Sequence, residues 1–267
     1  MPAVNRRRGF AAAEIASINL SAGLPAIIMK LFGKNSISER LRVNPASIRR
    51  LLFSGAQAGD PLVAEAKKQH ITCELTSDTV LEKLAGHHYS QGIIAEVEEF
   101  LFTPLAAVLE QPAGKRYTLL ALSHITDPQN VGSLLRSAAC LGRFAIILPQ
   151  HRAVTVNETV LKIASGAENY VPVASVTNLV PALEQAKKAG YWIAGAVAEG
   201  GEDITRVSLP EPLCLVIGSE GSGIRPGIFS HLDLRVRIPM PGAALSLNAA
   251  VAGALLCYEV MRRHIQP

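Results

Sequence analysis

Three stretches of this chain bring together residue types that could do chemistry. The first is His124-Ile125-Thr126-Asp127-Pro128-Gln129-Asn130-Val131-Gly132-Ser133-Leu134-Leu135-Arg136. Asp-Pro makes a turn, Asn130 suits the N-cap of the helix that follows, and Arg136 comes early in that helix. A guanidinium there can reach a phosphate or carboxylate, or stand solvated. The second is Gly218-Ser219-Glu220-Gly221-Ser222-Gly223. Its glycines allow close approach of a ligand to backbone, yet the G-x-x-G-x-G spacing fits neither a dinucleotide fingerprint nor a P-loop. A central carboxylate would repel a pyrophosphate, so the loop suits an uncharged or cationic group, or is a plain tight turn. The third runs from Ile238-Pro239-Met240-Pro241-Gly242 to Leu245-Ser246-Leu247-Asn248. Here a strand ends in a Pro-Gly loop, and Ser246 reads as the N-cap of an alanine-rich helix. Taken alone, each stretch is also explained by ordinary capping and turning.

The elements around these stretches say where they lie. Apolar runs of strand length occur at 117–123, 144–148, 191–196, 213–217 and 234–238. Amphipathic stretches at 131–141, 157–165 and 179–189 alternate with them, and a last helix covers 247–263, with basic residues in its final turn as the helix dipole favours. Strands that are apolar throughout, alternating with helices, predict a parallel sheet covered on both faces. In such α/β sheets ligands bind beyond the carboxyl ends of the strands, and all three stretches follow a strand.

Upstream, residues 28–100 mix shorter elements: helices near 35–43 and 61–69, an apolar patch at 48–54, and strands at 71–75 and 92–97. Six basic residues and one acid, Glu39, fall between Ile28 and Gln57. Residues 101–116, with two prolines, a glycine and a basic pair, read as a linker. Residues 1–27, with three consecutive arginines and no sustained apolar run, read as a basic arm, or an organellar targeting segment, rather than a secretory signal. This gives four parts: 1–27, 28–100, 101–116 and 117–267.

With 267 residues, 49% of them apolar, the chain can build a sizeable core, which excludes a disordered protein. No apolar run reaches the roughly 20 residues a membrane span requires. The net charge of +4 is too small to establish a nucleic-acid partner by itself. Cys73, Cys140, Cys214 and Cys257 form no Cys-x-x-Cys pair and read as reduced thiols of a cytoplasmic protein. His87 and His88 are adjacent and point apart, and no metal-ligand cluster stands out.

Order and spacing together make the chain resemble the SpoU/TrmH family of RNA ribose 2′-O-methyltransferases, in the SPOUT class. The first family motif resembles Asn130-Val131-Gly132-Ser133 with Arg136. The second resembles Leu215–Gly221, and the third resembles Ile238-Pro239-Met240 with Ser246-Leu247-Asn248. Residues 28–100 are similar to the family's L30e-like RNA-binding domain, on Phe32–Leu41 and His88–Ala95.

The resemblance implies a trefoil-knotted sheet, a homodimer and S-adenosylmethionine as methyl donor, with no metal. It places donor contacts at Gly218, Ile238 and Leu247, with Ile217 flanking the adenine and Met240 nearby. It makes Asn130, Arg136, Glu220, Ser246 and Asn248 the catalytic set: Asn130 positions the ribose or the loop, and Arg136 grips a phosphate and favours the developing alkoxide. The basic cluster, Lys34, Arg42, Arg49 and Arg50, becomes the RNA anchor. The implied substrate is a guanosine of large-subunit ribosomal RNA. Transfer RNA is the alternative substrate, and a non-catalytic RNA-binding protein of the same fold is the alternative function.

Overall fold

The computed structural model describes residues 27–86, 91–242 and 245–265. The arginines of the basic arm, the His87-His88 pair, Tyr89, Ser90, Ala243 and Ala244 lie outside the described residues. The chain divides into two units, Met1–Glu99 and Phe100–Pro267.

The first unit is a four-stranded mixed sheet with three helices. Its elements are β1 (Ile28–Phe32), α1 (Lys34–Val43), β2 (Ile48–Phe53), α2 (Pro61–Lys68), β3 (Thr72–Leu75), α3 (Asp78–Ala85) and β4 (Ile93–Glu98), in sheet order β1-β4-β2-β3. Strand β4 is antiparallel to both neighbours, and β2 pairs parallel with β3. Local chemistry sets the helix starts. Asp60 accepts from the Leu62 amide at 2.9 Å with Pro61 at the first helical position, and Ser77 caps α3 through the Val80 amide. Leu81 and Ala85 of α3 then pack with Phe32, Leu52 and Ile94.

The second unit carries a seven-stranded sheet of β5 (Thr118–Ser123), β6 (Phe144–Pro149), β7 (Val173–Val176), β8 (Trp192–Ala196), β9 (Glu202–Asp203), β10 (Leu213–Gly218) and β11 (Leu234–Arg237). Their order is β7-β6-β5-β10-β8-β11-β9, and every pairing among them is parallel. Helices α5 (Pro128–Leu141), α6 (Glu158–Ala164), α7 (Leu179–Lys188) and α9 (Ala249–Ile265) accompany it, with two short helices, α4 (Leu105–Leu109) and α8 (Pro226–Phe229). Leu119, Ala121, Ile147, Cys214 and Val216 face the core shared with α7, while the alternate residues, such as Leu120, Leu122, Ile146 and Leu215, are equally buried. Both faces of the sheet are therefore covered, as the unbroken apolar strands predict.

Two details differ from what the sequence suggests. Residues 101–116 include α4, whose Val108 and Leu109 are buried in the core of the second unit, and the Thr103 amide donates to the Val173 carbonyl at 2.8 Å. Pro104 here marks the start of a packed helix. The small face of α9 is also taken up within the chain: a Cβ on Gly253 would lie 2.2 Å from Leu134 Cδ2 and 3.0 Å from Ile217 Cδ1. Only glycine permits that approach, so at Gly253 the alanine-rich helix lies close against α5 and β10. All four cysteines are free, and burial pushes the Cys214 and Cys257 thiols up to about 12.

Candidate active site

Strand β10 runs between β5 and β8, so the loops after β5, β8, β10 and β11 all open on one end of the sheet. The loop after β5 leads into α5. Its N-cap is Asp127, which accepts from the Gln129 amide at 2.8 Å, with Pro128 at the first helical position. This corrects the capping role expected of Asn130. Asn130 is the third residue of the helix, is 7% exposed, and its side-chain amide is free to bond elsewhere.

It bonds across the sheet end. Asn130 Nδ2 donates to Glu220 Oε1 at 3.1 Å, and Asn248 Nδ2 donates to Asn130 Oδ1 at 2.8 Å. Asn248 Nδ2 also donates to Glu220 Oε1, which in addition accepts from the Ala249 amide at 3.3 Å. Asn248 Oδ1 meanwhile accepts from the Ala250 and Val251 amides at 2.9 and 3.2 Å. Asn248, and not Ser246, is therefore the N-cap of α9. A carboxylate at the positive end of α9, held by three N–H donors, is favourably placed. One closed network thus ties together the three stretches that sequence singled out.

The loop between Gly218 and Gly223 is tight for an internal reason. Ser219 and Gly223 exchange both backbone hydrogen bonds, at 3.2 and 2.8 Å, and Ser219 Oγ lies 2.7 Å from Ser222 Oγ. A Cβ on Gly218 would sit 2.2 Å from the Gly223 carbonyl carbon and 2.4 Å from the Ile224 nitrogen. The glycine is needed for the loop to fold back on itself.

Beside the network lies a cleft of about 350 Å³. Ile217, Gly218, Ile238, Met240 and Leu247 line it, with Glu220 and Ser246. All five residues expected to contact a donor therefore share one cavity. Ala196, Val197 and Ala198, after β8, complete the wall. Sequence reading overlooked them, although the strand at 191–196 and the carboxyl-end rule together pointed there.

Arg136 is placed differently. It is the ninth residue of α5, six beyond Asn130, which puts it about 9 Å further along the axis and roughly a third of a turn away. It is exposed, and neither it nor Ser246 has a hydrogen-bond or ion-pair partner among the described residues.

The expected RNA anchor in the first unit is ion-paired throughout. Lys34 Nζ meets Asp60 at 2.6 Å, Arg42 meets Glu39, Arg49 meets Glu98 at 3.5 Å, and Arg50 meets Glu96 and Glu74 at 2.7 and 3.0 Å. Apart from Glu39, those acids lie outside the 28–57 window in which the basic excess was seen. Across residues 28–99, nine basic side chains face nine acidic ones. Among the described residues no group of three or more His, Cys, Asp or Glu could hold a metal, and no helix is long and apolar enough to cross a membrane.

Known proteins resemble this chain over most of its length. The model of the SpoU rRNA Methylase family matches residues 117–258, and the model described as RNA 2′-O ribose methyltransferase substrate binding matches residues 30–102. The TrmH family protein YacO of Bacillus subtilis is 35% identical over 238 residues, covering 87% of this chain and 95% of that one. A TrmH family relative from Staphylococcus haemolyticus is 35% identical over 241 residues, covering 88% and 96%. Among solved structures, a TrmH family member from Porphyromonas gingivalis superposes with TM-score 0.71 at 26% identity, covering 88% of this chain and 90% of that one. The fold is also that of the SpoU methyltransferase AviRb from Streptomyces viridochromogenes, solved with AdoMet, at TM-score 0.76, 24% identity, and coverage of 90% and 91%. The parallel sheet, preceded by a small N-terminal domain, is the fold of SpoU methyltransferase structures. This chain belongs to the SpoU/TrmH family of RNA methyltransferases.

Proposed function

We propose that this protein methylates the 2′-hydroxyl of a ribose in RNA, with S-adenosylmethionine as donor and a guanosine of large-subunit ribosomal RNA as target. The observation that carries the reading is the Asn130–Glu220–Asn248 network closing over one edge of an apolar cleft. The cleft suits the donor: its volume lies within the usual range for small-ligand sites, its walls are aliphatic, and Glu220 lies at its rim, where a cationic ligand is welcome. Ile217, Ile238 and Leu247 would flank the adenine, with Gly218 and Met240 beside them. When bound, S-adenosylmethionine supplies a methyl group on a positively charged sulfur.

The chain's own task is alignment and charge management. Asn130 and Asn248 are positioning residues, since their amides are spent on Glu220 and on each other. They fix the start of α5 relative to the start of α9. Arg136, exposed and without an internal partner, is available to an acceptor phosphate and to the negative charge developing on the ribose oxygen. A guanidinium offers donors and no acceptor, so the hydroxyl proton leaves to a phosphate oxygen or to water. Ser246 offers a hydroxyl at the rim of the cleft.

The first unit anchors the RNA in this reading. Lys34, Arg42, Arg49 and Arg50 contribute by exchanging a carboxylate for a phosphate, which makes each of them weaker than a free cation. The family's trefoil knot, formed by the loops after β10 and β11, and its homodimer belong to the same proposal. Val251, Leu255 and Tyr258 support a dimer, forming an exposed apolar stripe along α9. The reading places the enzyme with its RNA in the cytoplasm.

The test is to map ribose methylations in ribosomal and transfer RNA with and without the gene, and to restore them with purified protein and labelled S-adenosylmethionine. One ribose in large-subunit RNA should lose and regain its methyl group. A loss confined to transfer RNA would replace the substrate. No loss, with no transfer in vitro, would sink the proposal.

A further inference from the structure

The arginines of the described residues are nearly all employed internally. Among the described residues, every arginine except three donates to a side chain or a carbonyl, pairs with an acid, or lies over a ring; examples are Arg116 on the Ala189 carbonyl and Arg235 over Phe229. The exceptions are Arg136, Arg152 and Arg225. Arg136 has been given a role above, and the other two have none.

Their positions are related. Arg152 follows β6 and Arg225 follows β10, while His124 follows β5, the strand between them. With strands about 4.8 Å apart, the strands that precede the two arginines end roughly 10 Å apart, and His124 follows the strand between them. The loops are joined: the Val154 amide donates to the Ile125 carbonyl at 3.1 Å. His124 and Arg152 both hold left-handed backbone, with φ of 60° and 56°, which non-glycine residues adopt only where their surroundings impose it. Arg225 stands two residues beyond Gly223, which lines the donor cleft.

Arg152 and Arg225 both carry a positive formal charge. Burial, then the charges of Arg225 and Arg152, hold the His124 imidazole below its usual range. Among the described residues no carboxylate is paired to either guanidinium. In the first unit every proposed RNA anchor carries an acid of its own. Resting on the reading that the substrate is RNA, we propose that Arg152 and Arg225, flanking His124 at the carboxyl end of the sheet, form the phosphate-binding track that seats the target strand beside the donor cleft. A guanidinium fork matches phosphate oxygens, and the neutral imidazole between them adds an N–H donor.

The experiment uses the full-length protein and ribosomal RNA extracted from a strain lacking the gene. Binding is measured without donor over a salt series, for wild type, Arg152→Gln, Arg225→Gln, the double variant, and Arg206→Gln as a control. Each track arginine should flatten the log–log salt dependence by about 0.7–0.9, and the pair by about twice that, while Arg206→Gln changes nothing. In transfer assays the loss should fall on KM rather than kcat. Arg→Lys should restore the salt slope in part, and S-adenosylmethionine affinity by calorimetry should stay at the wild-type value, which also reports correct folding. An unchanged slope in the double variant, with donor binding intact, overturns the track. If the wild-type protein transfers no methyl group to any RNA, the functional reading fails, whereas the slopes still decide whether this edge binds phosphate.

Discussion

Asn130→Asp isolates the network at the sheet end. The substitution keeps size and shape but puts a second carboxylate where an amide donates to Glu220 at 3.1 Å. Two unit charges at that separation repel by about 5 kcal/mol at an effective dielectric of 20 and by about 1.3 kcal/mol in water. Asn130 is buried and Glu220 exposed, so the penalty falls between those limits. Protonation caps it: holding one proton at pH 7 on a group whose ordinary pKa is about 4 costs about 4 kcal/mol. Asn130→Asp should therefore destabilise the protein by about 2–4 kcal/mol at pH 7. The shared proton binds more tightly in the folded than in the unfolded state, so the penalty shrinks as pH falls towards 5. Asn130→Ala loses the same donor without adding charge, and its cost should not follow pH over that range. Adding Glu220→Gln to Asn130→Asp should remove most of the repulsion. Denaturant unfolding at pH 7 and 5 measures all of these. If the Asp and Ala variants behave alike at both pH values, the amide–carboxylate contact is not what joins the loops.

Arg136→Ala should leave S-adenosylmethionine affinity near wild type and slow single-turnover transfer at saturating RNA by about 10²–10³, with little recovery in Arg136→Lys; normal turnover would remove it from the catalytic set. Gly218→Ala forces a methyl group into the backbone of Gly223 and Ile224, and should weaken donor binding by at least tenfold in calorimetry while global stability falls by about 1–3 kcal/mol. A fragment starting at residue 100 should bind the donor without RNA, whereas one starting at 117 uncovers the core that Val108 and Leu109 fill and should melt at a lower temperature. Neutralising Lys34, Arg42, Arg49 and Arg50 together should flatten the salt dependence of RNA binding by less than the 0.7–0.9 per residue expected of free cations, because each is already paired.

The parallel sheet was legible because its central strands, β5, β6, β8 and β10, are apolar almost throughout, a pattern that two-sided burial produces. Helices α5 and α7 were equally plain, each closed by a glycine. Strand β7 escaped notice because Val-Ala-Ser-Val is short and half small, and β9 because two residues carry no period. The capping residues were misjudged where several candidates crowd together. Asp127 and Asn130 both suit an N-cap, and so do Ser246 and Asn248; three-dimensional context decides, since the residue facing the carboxylate cannot also serve its own helix start unless it has two polar atoms. Asn248 has two and does both. The ion pairs of the first unit were invisible for a different reason. Arg50 finds Glu74 and Glu96 through strand pairing, and neither is near it in sequence. Charge counted along a window overstates what a folded surface presents.

The network also has a consequence for how the chain acquires activity. Asn130 and Glu220 are 90 residues apart, and Asn248 lies a further 28 beyond Glu220. Contacts of such long sequence separation form late, after the loop entropy between them has been overcome. During synthesis α5, β10 and the Gly218–Gly223 turn all emerge before the residue that fastens them. A nascent chain that has not yet made α9 therefore holds an open cleft and an unrestrained carboxylate. On the proposed function, methyl transfer would begin only once the third of the three stretches has been synthesised and packed, so that competence arrives with the last tie.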